Sequence, residues 1–216
     1  MAGMTLLAID TTGPDCSVAL RAAGREDIIL VEPIGRGHAE RLAPMVETVL
    51  AQAGLEPRAL SRIGVAVGPG SFAGTRVGTA FARGLALATG ASAVGIGNLA
   101  IIARKALPLR PLAVLHDARR GEVMLQVWTR EGAGGLERLA VSEAAGRIRA
   151  LAGSDVQTAG SGAPLIGDAF PDSGLRGIDM MTLLDLTAEI DPDTAPPSPV
   201  YARPPDAKLP GGIEPA

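Results

Sequence analysis

Asp10 and Asp117 are the residues whose placement points first to chemistry. Each follows a short apolar run, Leu6–Ile9 and Leu112–Leu115, and each is followed by a turn and a second run that leads back, Ser17–Arg21 and Glu122–Trp128. A carboxylate at the end of a strand, with the Thr11 and Thr12 hydroxyls beside it, can meet a phosphate or a metal-bound water, although such residues more commonly close a turn. Used together, Asp10 and Asp117 with Mg²⁺ would suit an ATP-dependent phosphotransferase.

The second candidate is the loop Gly68-Pro69-Gly70-Ser71-Phe72-Ala73-Gly74 between an apolar run and a helical pattern. Small residues there let backbone amides and a helix N-terminus approach an anion. Three specific versions of such a loop fail. No Lys stands where a Walker loop needs one, and the acidic ribose ligand of a dinucleotide fingerprint is missing between Thr89 and Gly97. A nucleophile elbow would need Gly where Pro69 stands. A tight turn that lets a helix pack on its strand is the simpler reading.

Histidine and cysteine add little chemistry. His38 and His116 are the two histidines and share no ligand spacing, which argues against a metal site and leaves a Ser71 triad without support. His38 suits a helix start and His116 a hydrogen-bonded turn. Cys16 is single, so it forms no intrachain disulfide, thiolate cluster or Cys-x-x-Cys pair, as expected in a reducing compartment.

The elements that would position these residues are legible from periodicity. Three strands, the third over Asp27–Ile34, precede a helix from Arg41 to Ala53, with Pro44 expected in its first turn or at a kink. Ile63–Val67 reads as a buried strand, Thr75–Thr89 as a helix stopped by Gly90, and Ala93–Ile96 as another strand. Asn98 caps a helix ended by Pro108, and Ser142 caps a later one. The strand-Asp-turn-strand unit occurs twice, about half the chain apart, which suggests two lobes built on one plan.

In the Thr75–Thr89 helix and its flanks, Gly74, Gly78, Ala82, Ala86 and Gly90 recur every four residues on one face. Such a flat ridge suits close packing on the chain's own sheet or an interface with a partner helix, and spacing alone leaves both open.

Composition narrows the classes further. A net charge of −3 removes the simplest nucleic-acid reading, and aromatics at 2% make no platform for stacking unpaired bases. No apolar run approaches the ~18 residues of a membrane span, and the first residues lack a basic signal region, so a cytoplasmic location is expected. Prolines crowd residues 191–216, which reads as an extended tail.

These strings resemble the TsaB (YeaZ) family. The resemblance rests on Leu7-Ala8-Ile9-Asp10-Thr11 with Cys16-Ser17-Val18-Ala19-Leu20, and on His38-Ala39-Glu40-Arg41-Leu42-Ala43-Pro44-Met45-Val46. It continues through Gly68 to Gly78, Gly84-Leu85-Ala86-Leu87, Asp117 to Val123 and Pro199-Val200-Tyr201-Ala202-Arg203. It implies an α/β, two-lobed fold of the actin, Hsp70 and sugar-kinase superfamily with mixed sheets. The short, Gly-rich stretch from Arg130 to Asp191 implies a reduced second lobe. The expected division is residues 1–105 for the first lobe, 106–190 for the second and 191–216 for the tail.

The resemblance further implies a non-catalytic scaffold for N6-threonylcarbamoyladenosine formation in tRNA. It would have no cofactor, metal site or catalytic residue of its own, and Asp10, Thr11 and Thr12 would be a vestigial nucleotide loop. The implied partners are TsaD as a heterodimer, the ATPase TsaE in the presence of nucleotide, tRNA only through the complex, and a second copy when alone. The implied pairing surface is Leu42, Met45, Val46, Val49, Gly74, Gly78, Ala82 and Ala86, so Gly78→Leu is expected to block pairing yet leave the monomer folded. A peptidase is the least supported class, because no nucleophile, base and ligand set can be assembled.

Overall fold

The computed structural model describes residues 3–106 and 111–202. Pro108 and the tail prolines Pro204, Pro205 and Pro210 lie outside the described residues. The first sheet begins with β1 (Leu6–Asp10), continues antiparallel through β2 (Asp15–Arg21) and β3 (Ile28–Pro33), and is completed by β4 (Arg62–Ala66) and β5 (Ser92–Ile96). Its order is β3-β2-β1-β4-β5, with β4 parallel to β1 and β5 parallel to β4. The parallel pairings need crossovers, supplied by α1 (His38–Gln52) and α2 (Phe72–Thr89).

Strand β1 is buried on both faces, which is why its run is continuously apolar instead of alternating. Leu7 and Ile9 join a core with α1, whereas Leu6 and Ala8 join one with α5 (Met180–Glu189). The sequence division grouped residues 180–190 with the second lobe, but Met180, Leu183 and Leu184 pack on the first sheet beside Ala19 and Ala66. The reason is coverage: α1 contributes to the core on one face, and the opposite face of β1, β2 and β4 needs an apolar helix too. Helix α5 comes so close that a Cβ on Gly64 would collide with the Thr187 side chain. Arg62 closes the C-terminus of α5, its Nη1 donating to the carbonyls of Thr187, Ala188 and Ile190 at 3.3, 2.9 and 3.0 Å.

The second sheet is built on the hairpin β6 (Leu112–Arg119) and β7 (Glu122–Thr129), flanked by β8 (Gly132–Ala133), β9 (Glu137–Ala140) and β10 (Gln157–Ala159). Helix α3 (Asn98–Ala106) covers one face and α4 (Val141–Ala152) the other. The tight β6–β7 turn puts Arg119 and Arg120 at φ 65° and 54°, an uncommon conformation for side-chain-bearing residues. The result is an α/β arrangement of two mixed sheets, each covered by helices on both faces.

Several local expectations shift. Helix α1 starts at His38, three residues early, so Pro44 lies inside it with its ring exposed. Helix α2 also starts early, because Ser71 Oγ accepts from Gly74 N at 3.3 Å and forms a cap. Ser142 caps nothing; α4 begins one residue sooner, after Ala140, and Val141 N donates to Gly121 O. Among the described residues no helix is long and apolar enough to cross a membrane.

The ridge on α2 turns inward. Gly74, Gly78 and Ala82 are buried, and a Cβ on Gly78 would stand 2.5 Å from Thr11 Oγ1 and 3.3 Å from Val65 Cγ2. Gly78→Leu is therefore expected to destabilise the monomer itself, by roughly 1–3 kcal/mol or more, since neither strand β4 nor the β1–β2 turn can give way cheaply. Denaturant unfolding of the purified variant checks this; an unchanged midpoint would mean that the ridge does not pack against its own sheet.

Candidate functional site

Both aspartates reach one place. A cleft of about 920 Å³ is lined by Asp10 and Thr12 from the β1–β2 turn, His116 and Asp117 from β6, and Asn98 from the start of α3. The duplicated strand-Asp-turn-strand unit thus presents its two carboxylates to a shared space.

Each carboxylate is already answered inside its own turn. Asp10 Oδ1 accepts from Thr12 N at 2.8 Å and from Thr12 Oγ1 at 2.6 Å. Asp117 Oδ1 accepts from Arg119 N at 2.8 Å, and its Oδ2 lies 3.0 Å from Arg119 Nη1. The Arg119 guanidinium thus supplies the positive charge that a magnesium ion would bring to that carboxylate. The β1–β2 turn also contains Pro14, which has no N–H to offer a phosphate, and ends on the negative Asp15. These residues do not fit a magnesium–nucleotide centre.

The Gly-rich loop is likewise occupied by the chain itself. Ser71 N donates to Thr12 O at 2.7 Å, Thr11 Oγ1 donates to Gly74 O at 2.7 Å, and a Cβ on Gly70 would stand 2.5 Å from Thr12 O. A Cβ on Gly74 would run into Thr11 O. The glycines admit protein backbone, and the tight-turn reading is the one the geometry supports.

Asn98 is the residue that sequence reasoning misassigned. Its Oδ1 accepts from Gly68 N at 3.0 Å, and its Nδ2 donates to Thr12 Oγ1 at 2.7 Å and Pro69 O at 3.1 Å. It ties the glycine loop to the Asp10 turn and does not cap its own helix. Ser161, also unforeseen, accepts from Asp117 N at 3.0 Å and lies 3.3 Å from His116 Nδ1. Burial pulls the His116 pKa below its ordinary value despite Asp117, so the ring is neutral at pH 7. His38 stands at the start of α1, with Nε2 3.2 Å from Asp15 O. Burial pushes the Cys16 thiol up to about 11, which leaves it protonated and unreactive.

All the expected pairing residues but Ala86 are buried. Leu42, Met45, Val46 and Val49 lie in the first-lobe core with Ala82, none more than 3% exposed. Gly74 and Gly78 face the β1–β2 turn, and Ala86 is half-buried. What α1 and α2 expose is the opposite side: Pro44, Glu47 and Ala51 on one helix, and Ala73, Ala80, Gly84 and Leu87 on the other. Leu87 is 89% exposed, and Arg76 and Arg83 flank this face of α2.

Burial pushes the Asp10 carboxyl above the ordinary aspartate range, Asp15 adds to this, and the Thr12 hydrogen bonds and His38 act in the other direction. A carboxyl whose pKa is higher folded than unfolded costs stability while ionised, and that cost fades as pH falls through the raised value towards 3.8. Asp10→Asn keeps the acceptor for Thr12 and is expected to unfold at a higher temperature than the natural chain at pH 7. The gap should close below pH 4. A lower midpoint for the variant at pH 7 would contradict this balance.

The family model for TsaD, tRNA N6-adenosine threonylcarbamoyltransferase, matches residues 29–166. Curated relatives named tRNA threonylcarbamoyladenosine biosynthesis protein TsaB include those of Haemophilus influenzae, 37% identical over 61% of this chain, and Escherichia coli, 37% identical over 59%. The matches span 56% of the length of each of these relatives. A Pseudomonas aeruginosa structure described as similar to the peptidase YEAZ superposes with a TM-score of 0.75 at 29% identity, over 93% of this chain and all of that one. A second, YeaZ from the same organism, gives 0.72 at 27% identity over 92% and 99%. The chain, with its paired aspartate turns and glycine-lined α2, belongs to the TsaB (YeaZ) family.

Proposed function

We propose that this protein is a non-catalytic scaffold for threonylcarbamoyladenosine formation in tRNA, pairing with a catalytic TsaD subunit. The observation that carries this reading is the division of labour on α2. Its inner face is consumed by the chain's own fold, while its outer face offers small and apolar side chains, among them Leu87, to solvent. A cleft in which Asp10 Oδ1 and the Asp117 carboxylate are engaged within their own turns supports a role that leaves the chemistry to a partner.

Pairing would use the exposed sides of α1 and α2, in place of the buried residues that the resemblance implied. Small side chains let a partner helix approach closely, and Glu47 on α1 with Arg76 and Arg83 on α2 supply charges of both signs. Alone, the same face would serve a homodimer; in the full assembly TsaE joins with nucleotide, and tRNA is reached through the complex, in the cytoplasm. The phosphotransferase alternative is disfavoured by the Arg119 guanidinium at Asp117.

Ala80 is exposed in the middle of the outer face of α2, so Ala80→Arg should leave the fold within about 0.5 kcal/mol of the natural stability. It is expected to weaken binding to TsaD at least about tenfold, an effect of the order of 1.4 kcal/mol, as measured by sizing chromatography with light scattering and by titration. Unchanged affinity in the folded variant would remove α2 from the pairing surface.

A further inference from the structure

The segment after α5 does more than trail away. Gly95 N on β5 donates to Ala195 O at 2.8 Å, and Val200 N donates to Val67 O, just beyond β4, at 2.7 Å. Pro197 is buried between them, and the Val200 side chain joins the first-lobe core. Two glycines make room for this passage. A Cβ on Gly95 would stand 2.7 Å from Pro197 Cα, and one on Gly68 would strike Val200 O.

The segment ends on the start of α2. The Tyr201 ring lies 4.7 Å from the Phe72 ring at 36°, and the Arg76 guanidinium sits 5.3 Å from the Phe72 centroid. Arg83 reaches Ser198 Oγ at 3.4 Å. Phe72 is 41% exposed and occupies the first position of α2, so Tyr201 supplies packing that the first lobe's own sheet does not. Tyr201 and Phe72 also both line the interlobe cleft.

We infer that Ala195–Tyr201 is a strap that fixes the start of α2, with Tyr201 as the positioning residue, and that the partner-binding face of α2 depends on it. The hydrogen bonds from Gly95 and Val200 seat the strap, and the ring of Tyr201 transmits its position to Phe72 and Arg76. The final link, to binding, rests on the pairing function proposed above; the first link, to the order of α2, does not.

Hydrogen exchange on the full chain, read with titration against TsaD, tests both links in the natural protein, Tyr201→Ala and Tyr201→Phe. In Tyr201→Ala the amides of Thr75, Arg76 and Val77 should exchange about tenfold faster while those of β1 keep their rates, and TsaD affinity should fall about tenfold. Tyr201→Phe, which keeps the ring, should match the natural protein in both. Unchanged exchange at Thr75–Val77, or an equal acceleration in β1, would overturn the strap. Faster local exchange with unchanged affinity would overturn its link to binding. If the natural chain fails to bind TsaD, the pairing function falls with that link, and the exchange rates still decide whether the strap orders α2.

Discussion

Everything in the first lobe depends on how closely the β1–β2 turn approaches α2. The backbone carbonyls of Thr11 and Thr12 lie where Gly74 and Gly70 would carry a Cβ, and Gly78 leaves room for the Thr11 hydroxyl. Gly within a helix costs about 1 kcal/mol relative to Ala, and close packing offsets that cost here. Two hydrogen bonds lock the contact, Ser71 N to Thr12 O and Thr11 Oγ1 to Gly74 O. Asn98 extends the lock to the glycine loop, so α2, α3 and the Asp10 turn form one rigid unit at the cleft wall.

That unit leaves little room for an anion at the start of α2. An anion at the α2 N-terminus would need free amides, and the chain spends Ser71 N and Gly74 N on its own turn and cap. Asp117 across the cleft is held by Arg119, and the neutral His116 beside Ser161 brings no charge. Contacts on the inside, together with Tyr201 against Phe72 at its start, hold α2 so that its exposed face is presented without rearrangement.

Most of the first lobe was legible in the sequence, and the reasons are physical. Continuous apolar runs bounded by Asp, Gly and Pro marked β1, β4, β5 and β6, and the four-residue spacing of small residues marked the packed side of α2. Spacing identifies a face but carries no direction, so the ridge that suited a partner turned out to suit the β1–β2 turn. Leu42, Met45, Val46 and Val49, which the resemblance implied as pairing residues, lie inside: an apolar stripe on α1 says that something covers it, and the chain's own sheet does. Helix α5 was missed because its run, Met180–Glu189, is short, puts Thr182 and Thr187 on its buried side, and follows a Gly-rich stretch with little periodicity. Neither Asn98 nor Ser161 had a local signal, since their partners lie 86 and 44 residues away in Thr12 and Asp117.

The role proposed for the chain is to organise a reaction that a partner performs. Its most direct test is reconstituted threonylcarbamoyl transfer to tRNA with TsaD and TsaE, comparing mixtures without the chain, with the natural chain and with a folded Asp10→Asn, Asp117→Asn double variant. A scaffold should be required for turnover and should support the same rate in both forms. Loss of turnover in the double variant, together with ATP hydrolysis by the natural chain alone that the same changes abolish, would contradict it.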